Sequence, residues 1–189
     1  MNNKTKKLVG IALFTAIVVV LQAIGGAIKV GQFTFSFVLV PIVVGAAVYG
    51  VAAGAWLGFV FGVVVLLSGD AGAFMTVNVL GTILTVLVKG TLCGLAAGGV
   101  YKLFEKKNRY LAVFLAALVC PTVNTGVFLL GCLAFFMDTI RGWAEALGFA
   151  NAGSYMVLSL AGINYICEIV VNIILAPVIS RLIKIGQKN

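Results

Sequence analysis

Two ionisable side chains lie inside long apolar stretches of this sequence. Lys89 is the only charge in TILTVLVKGTLCGLAAGG, residues 82–99, and Glu168 is the only charge between Glu145 and Arg181. An ammonium or carboxylate group inside a membrane is costly, faces the protein interior and usually serves a function with a partner. We therefore expect Lys89 and Glu168 to bind a ligand. The alternative is that they only pair with each other to stabilise the fold.

Polar side chains recur at helical spacing next to the two charges. Residues three and four positions apart lie on one face of a helix. The face that ends at Lys89 carries Asn78, Thr82 and Thr85. The face around Glu168 carries Asn164 and Asn172. Together with Asn124 in the apolar run between them, these faces predict a cavity that accepts a small polar molecule.

The elements that position these residues are predicted to be membrane helices. Hydrophobic residues make up 62% of the 189 residues and charged residues only 10%, whereas soluble domains have about 25% charged residues. Apolar runs cover residues 8–24, 35–49, 51–67, 79–100, 110–136 and 154–183. The second and third runs together are too long for one crossing of a hydrocarbon core about 30 Å thick, so the chain must fold back near residues 49–54. We predict an all-α integral membrane protein with six transmembrane helices, which form one domain over residues 1–189.

Lysine and arginine residues are distributed unequally between the two ends of the predicted bundle. With six spans, ten of the 13 basic residues fall on the side of the two termini, and only Lys29 and Arg141 fall on the opposite side. Short basic loops stay in the cytoplasm. Both termini are therefore predicted to be cytoplasmic, and the polar faces are predicted to open toward the outside.

The composition argues against several classes of function. The net charge of +8 comes from residues at the ends of apolar runs and not from a basic face interleaved with aromatic residues, so no nucleic-acid binding is expected. The chain contains no histidine, which excludes histidine-based catalysis and histidine metal sites. The four cysteines lie in apolar runs without CxxC spacing and are predicted to be buried thiols. We expect no metal, no cofactor and no enzymatic activity.

Two further classes of membrane protein stay open as alternatives. A self-sufficient secondary transporter or channel would usually show an internal repeat, and none is visible in this sequence. An enzyme embedded in the membrane would need a nucleophile, a base or a metal set near the membrane surface. The chain has only five carboxylates, four of them in loops.

Small residues form three stripes at four-residue spacing. The third run carries Gly54, Gly58 and Gly62, and the fourth run carries Gly90, Gly94 and Gly98. Such stripes let membrane helices approach closely, so we expect both to be packing surfaces. A shorter AxxxA stripe, Ala12 and Ala16, lies near the cytoplasmic end of the first run.

Three segments resemble a known family. They are ALFTA at residues 12–16, FSFVLVPIVVGAAVYGVAAGAWLGFVFGVVVLLSG at residues 35–69 and EIVVNIILAPVISRLIK at residues 168–184. The chain resembles, over nearly its whole length, the substrate-binding S components of energy-coupling factor (ECF) transporters. This resemblance implies a protein of the prokaryotic plasma membrane that binds a water-soluble vitamin or related micronutrient from outside with high affinity.

The resemblance also implies partners. It implies docking through Ala12 and Ala16 on a transmembrane T component that carries two ATPase subunits. The chain has no GxxxxGK[ST] phosphate loop, which agrees with ATP hydrolysis in those separate subunits.

The binding site implied by the resemblance lies near the outer face, between the first loop and spans four to six. The candidate residues are Lys29, Gln32, Phe33, Asn78, Thr82, Thr85, Lys89, Asn124, Trp143, Asn164, Glu168 and Asn172. Lys89 is expected to bind an anionic group of the substrate, with Glu168 keeping the lysine charged. Pantothenate, which carries a carboxylate and hydroxyl groups, is the preferred substrate. Riboflavin, folates, biotin, lipoate, niacin and queuosine-type bases stay open, although the few aromatic residues in the polar faces argue against a large flat ring.

Overall fold

Apolar runs become helices in the computed structural model, which describes residues 2–27, 29–30, 33–34 and 37–186. The elements in chain order are α1 (Asn3–Ala27), β1 (Lys29–Val30), β2 (Phe33–Thr34), α2 (Leu39–Tyr49), α3 (Val51–Leu67), α4 (Gly72–Met75), α5 (Val79–Phe104), α6 (Arg109–Phe135), α7 (Met137–Ala146), α8 (Ala152–Tyr155), a π-helix (Met156–Gly162) and α9 (Ile163–Gly186). The short strands β1 and β2 pair antiparallel. The predicted helical fold class is confirmed.

Helix lengths bear on the predicted number of membrane crossings. Within the described residues, four helical stretches are long and apolar enough to span a bilayer: Lys4–Gly25, Val79–Phe104, Arg109–Phe135 and Ala152–Ile185. Helices α2 and α3 are also apolar, but they have only 11 and 17 residues. The structure therefore has four full-length candidate spans and two shorter apolar helices where the sequence predicts six spans.

The chain folds back at Gly50, inside the predicted interval of residues 49–54. Gly50 has a φ of +98°, in the region that favours glycine because it has no Cβ. Helix α2 ends one residue before Gly50 and α3 begins one residue after it. The two helices return alongside each other, since a methyl group added at Gly54 would lie only 2.6 Å from the Cβ of Ala46. The reversal thus makes an α2–α3 hairpin.

The two glycine stripes pack directly against each other. A methyl group added at Gly58 would overlap the carbonyl oxygen of Gly90, and one added at Gly62 would lie 2.8 Å from the carbonyl oxygen of Val86. Gly54 faces Gly94 in the same way. Because glycine has no side chain, the backbones of the two helices can come into close contact. The α3–α5 contact fixes the position of α5, the helix that carries Lys89.

The largest apolar core surrounds α2. Leu39 and Ile42 of this helix are fully buried, as are Val18 of α1 and Ile179 and Ile183 of α9. A second buried cluster, which includes Phe136 and Ile140, lies where α6 meets α7. Helix α1 lies at the periphery, because only 17% of its apolar window is buried. The fold thus leaves one long apolar helix available to a lipid or protein neighbour.

Candidate functional site

A cavity of about 630 Å³ lies at one end of the helix bundle. Its wall comes mainly from the end of α3, the first half of α5, the second half of α6 and the start of α9. Residues of α1, α4, α7, α8 and the π-helix also line it. This volume is within the range of small-molecule binding sites. The cavity is at the end of the bundle opposite the basic connection between α5 and α6, which is the end predicted to face outside.

Lys89 lines this cavity between two aromatic rings. Its Nζ lies 5.2 Å from the ring centre of Phe128 and 5.9 Å from that of Phe61. An ammonium group at these distances is attracted by the negative face of the ring. In the described part of the chain, no carboxylate lies within 4.0 Å of this nitrogen, and no hydrogen bond to it is formed. Lys89 and Glu168 therefore form no salt bridge with each other, although both residues line the same cavity.

Glu168 is 3% exposed and is oriented by asparagines one turn away on either side. The Nδ2 of Asn164 donates to its Oε1 at 3.2 Å. The Nδ2 of Asn172 donates to its backbone carbonyl oxygen at 2.8 Å. The Oε2 atom of Glu168 is buried and accepts no hydrogen bond from any described residue. The carboxylate thus keeps one acceptor oxygen for a molecule in the cavity.

Further buried oxygen atoms in the cavity wall lack partners among the described residues. They include the Oγ1 of Thr85, the Oδ1 of Asn124 and the Oε1 of Gln22. A buried polar atom without a hydrogen bond costs about 1–3 kcal/mol, and native proteins contain few of them. Together with the Oε2 of Glu168, these atoms make a set of acceptors suited to a ligand that donates hydrogen bonds.

Aromatic rings make up much of the remaining wall. The ring of Phe74 lies 5.0 Å from Phe136, 5.5 Å from Trp143 and 5.6 Å from Phe128, each in an edge-to-face arrangement. The aromatic residues that line the cavity are Phe61, Phe74, Phe128, Phe136, Trp143 and Tyr155. The argument against a large flat ring counted only the polar helix faces, whereas the described cavity wall carries these six aromatic side chains. Several of these rings come from outside the polar helix faces, in particular from α4 and α7.

A π-helix precedes the segment that carries Glu168. Its residues Ser159 and Ala161 line the cavity. A methyl group at Gly162 would overlap the carbonyl oxygen of Val157, so glycine is required where the wide turn closes. Such turns occur often at functional sites because they redirect side chains within a helix. Here the π-helix leads directly into α9, the helix that carries Asn164 and Glu168.

Residues 6–180 of the chain match the family described as ECF transporter, substrate-specific component. The chain belongs to this family. No curated protein and no solved structure matches it. Membership in this family confirms the resemblance noted in the sequence. The chain is therefore a membrane transport protein with a substrate-binding role. It implies a small-molecule substrate and association with T and ATPase modules.

In this S component, the candidate site residues divide into three groups. Those that line the cavity are Thr82, Thr85, Lys89, Asn124, Trp143, Asn164 and Glu168. Two others lie outside its wall: Asn78 caps α5, accepting from the backbone N–H of Gly81 at 2.9 Å, and Asn172 is fully buried. Helical spacing cannot separate a capping or backbone-bonding asparagine from one that faces a cavity. Gln32 lies outside the described residues, as do the side chains of Lys29 and Phe33.

The polar residues of the cavity wall that the candidate set did not include are Gln22, Asp70, Thr125, Tyr155 and Ser159, and the first two bond to each other. The Nε2 of Gln22 in α1 donates to the Oδ2 of Asp70 at 2.8 Å, and the hydroxyl of Ser68 donates to the same oxygen at 3.0 Å. Gln22 is the only amide side chain in the first apolar run, and Asp70 is the only carboxylate between Lys29 and Lys89. Their isolation in apolar surroundings was the signal that could have found them.

Proposed function

We propose that this chain is the high-affinity substrate-binding subunit of an ECF-type importer in the prokaryotic plasma membrane. Its substrate would be a water-soluble vitamin or related micronutrient. The observation that carries this proposal is the convergence of Lys89, Glu168, Thr85 and Asn124 on one cavity in a chain that belongs to the S-component family. Buried charged and polar groups at membrane depth are expensive, and function is the usual reason to retain them.

The proposed topology has six crossings, with both termini in the cytoplasm and all 189 residues in one domain. The α2–α3 hairpin supports it, because after the turn at Gly50 helix α3 leads the chain back to the side where α2 begins. The distribution of basic residues supports the orientation. In this orientation the cavity faces outside, where an importer must collect its substrate.

The proposed binding residues are those that line the cavity, with two supporting asparagines. Lys89 and the acceptors of Glu168, Thr85 and Asn124 would contact polar groups of the substrate. Thr82, Asn164 and Trp143 would complete the site, and the first-loop residues Lys29, Gln32 and Phe33 stay candidates at its mouth. Asn78 and Asn172 would act indirectly, through the start of α5 and the backbone of Glu168.

The residues of the cavity wall narrow the range of candidate substrates. Pantothenate could place its carboxylate at Lys89, and riboflavin and the other vitamins named above stay candidates. Six aromatic side chains in the wall favour a substrate that carries a ring. We therefore rank ring-bearing vitamins above pantothenate.

The proposed docking surface is the small-residue stripe of α1. Ala12 and Ala16 are both exposed, and Leu8, Leu13 and Val20 of the same helix are 67%, 60% and 54% exposed. Small residues allow a second helix to approach closely. A T component would cover this surface, and ATP hydrolysis would occur in two ATPase subunits bound to it.

Co-purification tests this function. Expression of the tagged chain together with an ECF module of the same organism, followed by purification in mild detergent, should yield the T component and both ATPase subunits with the chain. Reconstituted vesicles should then accumulate substrate only with ATP inside. Uptake by the chain alone, without ATPase subunits, would instead identify a self-sufficient transporter and contradict the proposal.

A further inference from the structure

We infer that the ligand of this cavity is an uncharged, planar heteroaromatic compound whose ring edge carries both an N–H donor and a carbonyl acceptor. The inference rests on the proposed binding function and deepens it by naming the class of substrate. Three features of the wall carry it: its charge balance, its hydrogen-bonding atoms and its aromatic rings.

The charge balance disfavours a charged ligand. Among the described residues that line the cavity, the ionisable groups are Lys89, Glu168, Asp70 and Tyr155. Lys89 and Glu168 together contribute no net charge, whether both are ionised or a proton has passed from one to the other. The Oδ2 of Asp70 is already engaged by two hydrogen-bond donors. These two donors are uncharged, so Asp70 keeps its negative charge, and an anionic ligand would add a further uncompensated negative charge at depth. A cation placed beside Lys89 would be repelled by its ammonium group.

The hydrogen-bonding atoms require a ligand edge of mixed character. The ammonium group of Lys89 can only donate, so it needs an acceptor such as a carbonyl oxygen. The Oε2 of Glu168 and the Oδ1 of Asn124 accept, and both lack a donor among the described residues. An amide-like ring edge carries N–H and C=O groups side by side and satisfies both needs without carrying charge. A simple carboxylate offers no donor to Glu168 or Asn124.

The aromatic wall supplies the contact for the ring itself. Phe128 joins the two parts of the site, because its ring lies 5.2 Å from the Nζ of Lys89 and 5.6 Å from the ring of Phe74. Phe136 and Trp143 extend the aromatic surface, because their ring centres lie 5.0 Å and 5.5 Å from that of Phe74. Aromatic pairs add about 0.5–1.5 kcal/mol beyond the burial of their area. A flat ligand can thus lie against these rings while its polar edge reaches Lys89 and Glu168.

A ligand panel tests the inference on the purified full-length chain. Riboflavin, hypoxanthine and uracil represent uncharged rings with an N–H and C=O edge, pantothenate and biotin represent anions without an aromatic ring, and thiamine represents a cation. Affinity is measured for each compound, and any small molecule that co-purifies is released and examined by mass spectrometry and ultraviolet absorption. We expect the tightest ligand, or the co-purified one, to be an uncharged ring. If pantothenate, biotin or thiamine binds most tightly, the inference is overturned but the proposed binding function still holds. If the chain binds no small molecule at all, the binding function itself is contradicted.

Matched variants locate the ligand edge. Lys89→Met and Glu168→Gln should each weaken binding of the tightest ring compound by about tenfold or more, as expected for loss of a hydrogen bond to a charged group. The controls are Lys102→Met, at the exposed end of the same helix α5, and Glu145→Gln, exposed on α7; both should bind as the parent chain does. Unchanged affinity in Lys89→Met and Glu168→Gln would overturn the inference.

A change in the ligand gives the same test without a protein variant. Methylation of the ring N–H removes the donor but keeps the ring and its charge. Should Lys89→Met or Glu168→Gln fail to fold, comparison of the ring compound with its N-methyl derivative on the parent chain decides the matter. Equal affinity for the two compounds would overturn the inference.

Discussion

The contact between α3 and α5 makes the position of Lys89 sensitive to a single methyl group. The substitution Gly90→Ala adds a Cβ that would overlap the carbonyl oxygen of Gly58 and lie 3.3 Å from the backbone nitrogen of Gly62. Both obstacles belong to the backbone and cannot rotate away, so the helices must separate. Overpacking of this kind costs about 1–3 kcal/mol. We expect the free energy of unfolding of Gly90→Ala to fall by that amount.

The substitution Gly99→Ala provides a matched control in the same helix. Apart from its chain neighbours and the backbone of its own helix, no atom of the described residues lies within 4 Å of a methyl group at Gly99. Alanine is favoured over glycine in a helix by up to about 1 kcal/mol, so this variant should be as stable as the parent or more stable. Thermal unfolding of the detergent-purified chains measures the difference in stability between the two variants. Ligand affinity should fall only in Gly90→Ala, because Lys89 directly precedes that residue. Equal unfolding temperatures for the two variants would refute the account of α3–α5 packing.

Two further predictions concern docking and topology. Ala12→Trp or Ala16→Trp should abolish uptake in cells but leave ligand binding to the isolated chain intact, because added volume blocks close helix contact. The control Ala23→Trp, exposed at the other end of α1, should leave uptake intact. Uptake by both the Ala12→Trp and the Ala16→Trp variant would exclude this docking surface. In a background without the four native cysteines, a cysteine at Gly153 should react with membrane-impermeant reagents from outside and one at Asn108 only after permeabilisation. The reverse labelling pattern would invert the proposed orientation.

The helices and their polar faces could be predicted from the sequence because both depend on local periodicity. The polar residues Thr82, Thr85 and Lys89 are spaced to lie on one face of a helix, and the structure has them on one wall of the cavity. The reversal at Gly50 followed from a length argument alone. For the polar faces the information lies within a single element, because the geometry of one helix is nearly fixed.

Other features depend on how elements meet, which spacing within one helix does not encode. The aromatic wall brings Phe74 of α4 and Trp143 of α7 together with Phe128 and Phe136 of the fifth apolar run. Of these four residues, only Trp143 is among the candidates taken from the sequence. Whether Lys89 touches Glu168 depends on the rotation and separation of α5 and α9, and the structure has them facing one cavity without a salt bridge. The hydrogen bond between Gln22 and Asp70 joins residues 48 positions apart, beyond the reach of any periodicity.

The central claim is that Lys89 and Glu168 hold a substrate and do not merely stabilise the bundle. Native mass spectrometry of the purified chain and of the double variant Lys89→Met/Glu168→Gln, each with the small molecule that the parent chain binds, tests this claim directly. We expect one bound molecule per parent chain and strongly reduced occupancy of the double variant, even where the double variant unfolds at the same temperature as the parent. If the two residues only stabilise the fold, removing both charges together leaves no unpaired buried charge. Undiminished occupancy of a folded double variant would contradict the account.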